Sequence, residues 1–335
     1  MKDQFGREVS YLRLSVTDNC NLRCIYCMPE DAKNESDNNN LTIDEYYRTV
    51  EIFARLGIRK VRITGGEPLI RKGIDELIGR ISTIPEIEEI AITTNGLLLE
   101  RYLDKFIESG VTSLNISIDS VNKENFNKIT RGGDLEKVTG SLRKARDNGM
   151  EVKLNTVIIR GVNDHEILDL VRFAMENHVD IRFIELMPIG CARNLKGMKS
   201  EEIIEILKKD PGLRIAQETV KESPGNKEIM RTGPAQYYTI PGTGKRIGFI
   251  SPLSSCFCDT CNRIRVTSDG KIKQCLYYKA NVDLKELFRN KGISDDELIK
   301  IVEREIYTKN RKHDFNDYEK NTDKREERIM SSIGG

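Results

Sequence analysis

Residues 11–30 read YLRLSVTDNCNLRCIYCMPE: apolar and polar side chains alternate from Tyr11 to Val16, and the chain then enters a loop carrying Cys20, Cys24 and Cys27. A period of two is that of a strand with two unlike faces. Similar segments return at Lys60 to Thr64, Glu89 to Thr94, Ser113 to Ile118, Glu151 to Ile158 and Ile181 to Met187. Between and after them, helical spacing is read near 43–56, 73–83, 98–109, 134–148, 164–177 and 200–208, with Gly57, Gly110 and Gly149 as stops. Strand alternating with helix predicts a parallel sheet, open or rolled into a barrel.

The composition of the strands separates these options. Strands covered on both sides are expected to be apolar on both faces. Here alternate positions read Arg13/Ser15, Arg62/Thr64, Thr93/Asn95, Asn115/Ser117/Asp119 and Lys153/Asn155. Burying such a face is costly unless something polar fills the space beside it. The pattern therefore predicts an α/β fold, a partly open (β/α)6 TIM-like barrel whose interior holds a polar, anionic ligand.

The rest of the chain narrows the setting. A length of 335 residues suits one large domain with a smaller addition, divided here as 1–215, a C-terminal region 216–310 and a charged tail 311–335. Strands are read at Ala235 to Ile240 and Arg246 to Ile250, helices near 283–290 and 294–306, and the tail is expected to be solvated or loosely ordered. Lys plus Arg (54) nearly cancel Asp plus Glu (53), which argues against nucleic acid as a partner. No apolar run is long enough for a membrane helix and no apolar export segment follows Met1, so a cytoplasmic location is expected. Three scattered histidines make a histidine-based hydrolase a poor fit.

Eight cysteines without an export signal point to metal or redox chemistry rather than disulfides. Cys20, Cys24 and Cys27 supply three thiolates, which leave one iron of a 4Fe-4S cube open to another ligand; a structural zinc site wants four ligands. Cys258, Cys261 and Cys275 form a second triad. It is read as a second iron-sulfur cluster, or, with Cys256 as fourth ligand, as a zinc site. Arg263 and Arg265, two apart, share one face if they lie on a strand and suit a phosphate or other polar substrate. Cys191 belongs to no motif.

The cysteine triad, with Tyr26 inside it and Gly65-Gly66-Glu67-Pro68 after the second strand, resembles the radical S-adenosylmethionine superfamily. Over nearly the whole chain the sequence resembles, within it, the GTP 3′,8-cyclase family of molybdenum cofactor biosynthesis. The matching segments are 12–30, RITGGEPL (62–69), TTNG (93–96), NISID (115–119), EVKLN (151–155), IRFIELMP (181–188), FCDTCNRIRVTSDG (257–270) and the terminal Gly334-Gly335. The resemblance implies two 4Fe-4S clusters, at Cys20, Cys24, Cys27 and at Cys258, Cys261, Cys275. It implies S-adenosylmethionine held by Tyr26, Gly66, Ser117 and Met187. It implies GTP bound by Arg13, Arg62, Thr93, Lys153, Arg182, Arg263, Ile264 and Arg265. Arg263, Arg265, Gly334 and Gly335 are expected to serve the reaction itself, with the tail entering the barrel mouth. Implied partners are a reductant or electron-donor protein and a downstream cyclic pyranopterin monophosphate synthase, and the resemblance is compatible with a homodimer. The alternatives are a peptide-modifying radical enzyme with an auxiliary cluster and, from another class, a non-enzymatic zinc-dependent binding module.

Overall fold

The computed structural model describes residues 1–34, 37–218, 234–290, 292–315 and 325–334. Six strands, β1 (Tyr11–Ser15), β2 (Lys60–Thr64), β3 (Glu89–Thr94), β4 (Ser113–Ser117), β5 (Glu151–Val157) and β6 (Asp180–Ile184), pair in parallel in chain order. Around them run α1 (Ile43–Arg55), α2 (Ile74–Ile81), α3 (Leu99–Glu108), α4 (Lys123–Thr130), α5 (Leu135–Asp147), α6 (Ile167–Glu176) and α7 (Ser200–Lys209). Thr42 and Glu45 close a reciprocal cap on α1, Asp134 caps α5, and Gly57, at φ +93°, follows the end of α1.

The remaining elements are β7 (Ala216–Gln217), β8 (Gln236–Ile240), β9 (Lys245–Ile250), β10 (Arg263–Val266), β11 (Lys271–Lys273), β12 (Val282–Asp283), α8 (Leu284–Arg289) and α9 (Asp295–Tyr307). They extend the same sheet at both edges, giving the order β12-β11-β10-β1-β2-β3-β4-β5-β6-β9-β8-β7. The barrel is partly open, as the alternation predicts. Because β9 lies beside β6 and β10 beside β1, residues 251–262 cross from one edge of the six-strand sheet to the other. That crossing carries Cys256, Cys258 and Cys261.

One face of the strands is apolar and packs on the helices: Leu12, Ile63, Ile92, Leu114, Leu154 and Ile264 share a core with Phe53, Phe106 and Leu142. The other face carries the polar residues, and register aligns them. Arg265, Arg13 and Arg62 stand side by side on β10, β1 and β2; Thr93, Asn115 and Lys153 form a second row; Asn155 and Arg182 form a third with Gly248. A Cβ on Gly248 would meet Arg182 Cγ at 2.8 Å, so the glycine leaves the guanidinium stem its space. Helix α4 is absent from the sequence reading because it is short and buries only Phe126, Ile129 and Thr130.

Candidate active site

The polar face bounds a cavity of about 1490 Å³. Arg13, Arg62, Thr93, Lys153, Arg182, Arg263 and Arg265 line it, as do Tyr26, Gly66, Ser117 and Met187. Cys20, Cys24, Cys27, Cys258, Cys261 and Cys275 open onto the same space. Ile264 departs from the expectation: strand alternation turns its side chain into the hydrophobic core, out of reach of a ligand in the cavity. Gly334 lies against Ser15 and Thr64, and Gly335 lies outside the described residues.

The cavity is cationic and poorly compensated. Burial, Arg265 and further arginines hold Arg13 well below the ordinary arginine range. Burial and Arg263 bring Arg265 down to about 10, and burial with Arg62 lowers Arg182. Lys153 is paired with Glu151 at 2.7 Å and Lys60 with Glu89, both at the starts of their strands. Deeper in, Arg182 Nε and Nη2, Arg263 Nε and Thr93 Oγ1 are buried without a hydrogen-bond partner among the described residues. Leaving charged donors unsatisfied costs several kcal/mol, so the site is built for an anion with many oxygens.

Tyr11, which sequence reading passed over, sits among these cations. Its hydroxyl oxygen accepts a hydrogen bond from Arg62 Nε, and Lys60 Nζ lies 5.2 Å from the ring centre. Burial opposes its ionisation, but Arg62, Arg13 and Lys60 outweigh burial and bring the phenol down to about 7. A bound polyanion neutralises those cations and raises this value. Difference spectra of the free protein are expected to show a phenolate step near pH 7, absent in Tyr11→Phe and moved upward by a bound nucleoside triphosphate or other polyphosphate. The same step with and without nucleotide would show that the anion does not bind beside Tyr11.

The first cysteine loop is pinned from several sides. Arg23 donates to the carbonyls of Cys20 (2.6 Å), Leu22 (2.8 Å) and Ala32 (2.8 Å). Its amide and that of Ile25 bond to Thr130 and Ile129 at the end of α4, so the helix missed in sequence anchors the loop. Gly66 N donates to Thr17 O at 2.8 Å, and a Cβ on Gly66 would meet Asp18 O at 2.6 Å; only glycine lets these two loops touch. Glu67 accepts from Thr94 Oγ1, Leu69 N and Asn95 N and is a structural brace pushed up to about 7 by burial. Tyr26 donates to Asp119 Oδ2 at 2.7 Å, while Asp119 Oδ1 accepts from Val157 N, which fixes the phenol over the loop.

Burial pushes the Cys20 thiol up to about 11 and Cys27 up to about 12, so both stay protonated at neutral pH until a metal takes the proton's place. Among the described residues, the ligand atoms close enough to share one ion, within 4.8 Å of one another, are those of Cys256, Cys258 and His313; neither cysteine triad forms such a set. A cube, in which each thiolate binds a different iron, does not require its ligands to converge on one ion. The triads therefore fit iron-sulfur clusters better than single ions, and the zinc set of Cys256 with Cys258, Cys261 and Cys275 is not assembled.

A fixed platform holds the second cysteine loop. Buried Arg7, paired with Asp3 at 2.6 Å, donates to the carbonyls of Cys258 (2.8 Å), Asn310 (2.8 Å) and Arg311 (2.7 Å). The N-terminus thus ties this loop to the segment after α9.

The expectation of a solvated tail fails for residues 325–334. Ile333 is buried with Ile189, Leu276, Tyr277 and Phe315, and Met187, Met330 and Cys275 pack against this group. Arg265 Nη1 donates to Gly334 O at 2.6 Å, and Gly334 adopts φ +69°. Upstream, Glu326 pairs with fully buried Lys273 and accepts from Arg328. Burial opposes its ionisation, but Lys273 and Arg328 outweigh it and hold the carboxyl down to about 2. A folded value below the ordinary 4.5 adds stability above that pH, lost as pH falls from about 4.5 to about 2. Glu326→Gln should flatten the acid dependence in that window and, by leaving a buried ammonium unpaired, cost about 3 to 5 kcal/mol at neutral pH. Denaturant unfolding across pH checks this; an unchanged acid limb would show that the pair does not hold the tail.

Among the described residues no helix is long and apolar enough to cross a membrane. Residues 14–174 match the Radical SAM superfamily, and residues 179–315 match Molybdenum Cofactor Synthesis C. A protein of Clostridium perfringens (strain 13 / Type A) named GTP 3′,8-cyclase is 49% identical over 336 residues, covering 100% of both chains. One of the same name from Alkaliphilus oremlandii (strain OhILAs) is 44% identical over 342 residues, again with 100% of both covered. Among solved structures, Streptococcus suis SuiB bound to precursor peptide SuiA is similar with a TM-score of 0.60 over 90% of this chain at 14% identity, a likeness of fold alone, and the chain spans 65% of that protein. With relatives this similar along its full length and both halves matched, the chain belongs to the GTP 3′,8-cyclase family of the radical S-adenosylmethionine superfamily.

Proposed function

We propose that this chain converts GTP to (8S)-3′,8-cyclo-7,8-dihydroguanosine 5′-triphosphate, an early step of molybdenum cofactor biosynthesis, using S-adenosylmethionine and two 4Fe-4S clusters. The observation that carries the reading is a cavity onto which both cysteine triads open, with a row of three arginines and, apart from that row, buried nitrogens of Arg182 and Arg263 lacking hydrogen-bond partners among the described residues. When bound, the cluster of Cys20, Cys24 and Cys27 with S-adenosylmethionine supplies a 5′-deoxyadenosyl radical for hydrogen abstraction at ribose C3′. The protein's work is placement. Tyr26, held by Asp119, with Gly66, Ser117 and Met187, binds S-adenosylmethionine. Arg13, Arg62, Lys153 and Arg182, with Thr93, offset the triphosphate charge and fix the ribose. Arg263 and Arg265 grip the substrate beside the second cluster of Cys258, Cys261 and Cys275. Gly334, on Arg265, brings the tail to the same place, and enclosure keeps water and oxygen from the reacting carbon.

An external reductant or donor protein provides the electron, and a downstream cyclic pyranopterin monophosphate synthase consumes the product. We place the protein in the cytoplasm. Full-length likeness to cyclases favours this reading over the peptide-modifying enzyme and the zinc-dependent binding module. Anaerobic turnover with GTP, S-adenosylmethionine and dithionite, followed by mass analysis, tests it: cyclised nucleotide and 5′-deoxyadenosine in equal amounts are expected. 5′-Deoxyadenosine without any change to GTP would overturn the substrate assignment.

A further inference from the structure

Cys256 is exposed on the loop that crosses between β9 and β10, and the reading above gives it no task. Its Sγ lies 3.8 Å from His313 Nε2, 57 residues away, and both atoms lie within 4.8 Å of a common third, Cys258 Sγ. A tetrahedral ion with sulfur at about 2.3 Å and nitrogen at about 2.0 Å sets neighbouring ligand atoms about 3.5 to 3.8 Å apart. The set can therefore close on one ion with small side-chain shifts. We propose that, in chains lacking the second cluster, Cys256, Cys258 and His313 bind a single soft divalent ion such as Zn²⁺ or Fe²⁺. Because both occupants need the Cys258 thiolate, the ion and the second cluster exclude one another.

The juxtaposition is built rather than incidental. Arg7 joins the Cys258 carbonyl to those of Asn310 and Arg311, three and two residues before His313, and Arg7 is itself buried and fixed by Asp3. The donor set is two thiols and an imidazole, the ligands that select zinc and iron over magnesium or calcium. Two thiolates with a neutral imidazole balance a dication. In the metal-free ring Nδ1 accepts a long bond from Phe315 N at 3.4 Å, so binding through Nε2 requires the proton to move from Nε2 to Nδ1 and this long contact to give way. The set supplies three protein ligands, which leaves a tetrahedral ion one position for water, and the exposure of Cys256 gives the ion a path in. The exclusion half of the proposal rests on the second triad holding a cluster; the ion site does not.

The test uses the full chain, stripped of metal, reduced and kept anaerobic, with Cys20, Cys24 and Cys27 changed to serine so that the first triad gives no signal. Titration with Co²⁺ is expected to give one equivalent of the tetrahedral cobalt-thiolate spectrum. The spectrum should be lost in Cys256→Ser and His313→Ala and kept in Cys261→Ser and Cys275→Ser, with circular dichroism showing each variant folded. No cobalt-thiolate spectrum, one unchanged in Cys256→Ser and His313→Ala, or one lost in Cys261→Ser and Cys275→Ser instead would overturn the site. A second measurement addresses exclusion in the chain with both triads intact. Zn²⁺ added before iron and sulfide should lower bound iron from about eight to about four per chain, and should have no such effect in Cys256→Ser. Full iron loading with zinc bound would overturn the exclusion while leaving the ion site standing.

Discussion

Cys24→Ala is expected to abolish S-adenosylmethionine cleavage, with 5′-deoxyadenosine at the background of the reductant alone and bound iron reduced by about four per chain. Cys24 is the middle cysteine of the first loop, and burial raises its thiol well above the ordinary range, beside Cys27 and Cys20. Two thiolates do not retain a cube that keeps one iron open for S-adenosylmethionine. The change removes one sulfur and leaves the supports of the loop in place: the bonds of Arg23 and Ile25 to α4, and the Cys24 carbonyl that accepts from Cys27 N at 2.9 Å. Thermal unfolding should therefore stay close to that of the parent chain in its cluster-free form. Persistent 5′-deoxyadenosine formation at the parent rate would sink the assignment of the first triad.

The second large effect is expected at Arg265. Its guanidinium is buried, stands in register with Arg13, and donates to Gly334 O at 2.6 Å. It is a ligand to neither proposed cluster. Arg265→Ala should keep iron at the parent level and still cleave S-adenosylmethionine, while cyclised nucleotide falls by about 30-fold to several thousand-fold. That range corresponds to about 2 to 5 kcal/mol for truncating one partner of a buried, charged contact. Arg265→Lys should recover little, because a single ammonium cannot serve a substrate and the Gly334 carbonyl through a planar fork. Loss of iron in step with loss of product would mean that Arg265 supports the second loop rather than the substrate.

Much of the site was legible because strand periodicity is local. Arg13, Arg62, Thr93 and Lys153 were assigned to a polar face from spacing alone, and all four line the cavity. Tyr11 was hidden because a tyrosine at the start of a strand reads as core; its role comes from Arg62 and Lys60, which reach it from the neighbouring strand. Ile264 was carried over with its neighbours, yet alternation turns its side chain into the core. His313 gave no signal because its partners, Cys256 and Cys258, are distant in sequence and brought near by Arg7. The tail looked solvated because its charges are dense; Lys273, on another strand, gives Glu326 a partner that composition does not reveal.

By itself the sequence determined the parallel strand-helix rhythm, the polar inner face and the two cysteine triads, because each depends on spacings within one turn, strand or loop. The tertiary structure alone decided that β10 lies beside β1, which sets Arg265 in a row with Arg13 and Arg62, and that residues 251–262 cross the open side of the barrel. It also decided that residues near the C-terminus dock on Lys273 and Arg265. These are pairings between segments far apart in the chain. Their energy lies in burial, register and opposite charge, which no local pattern encodes.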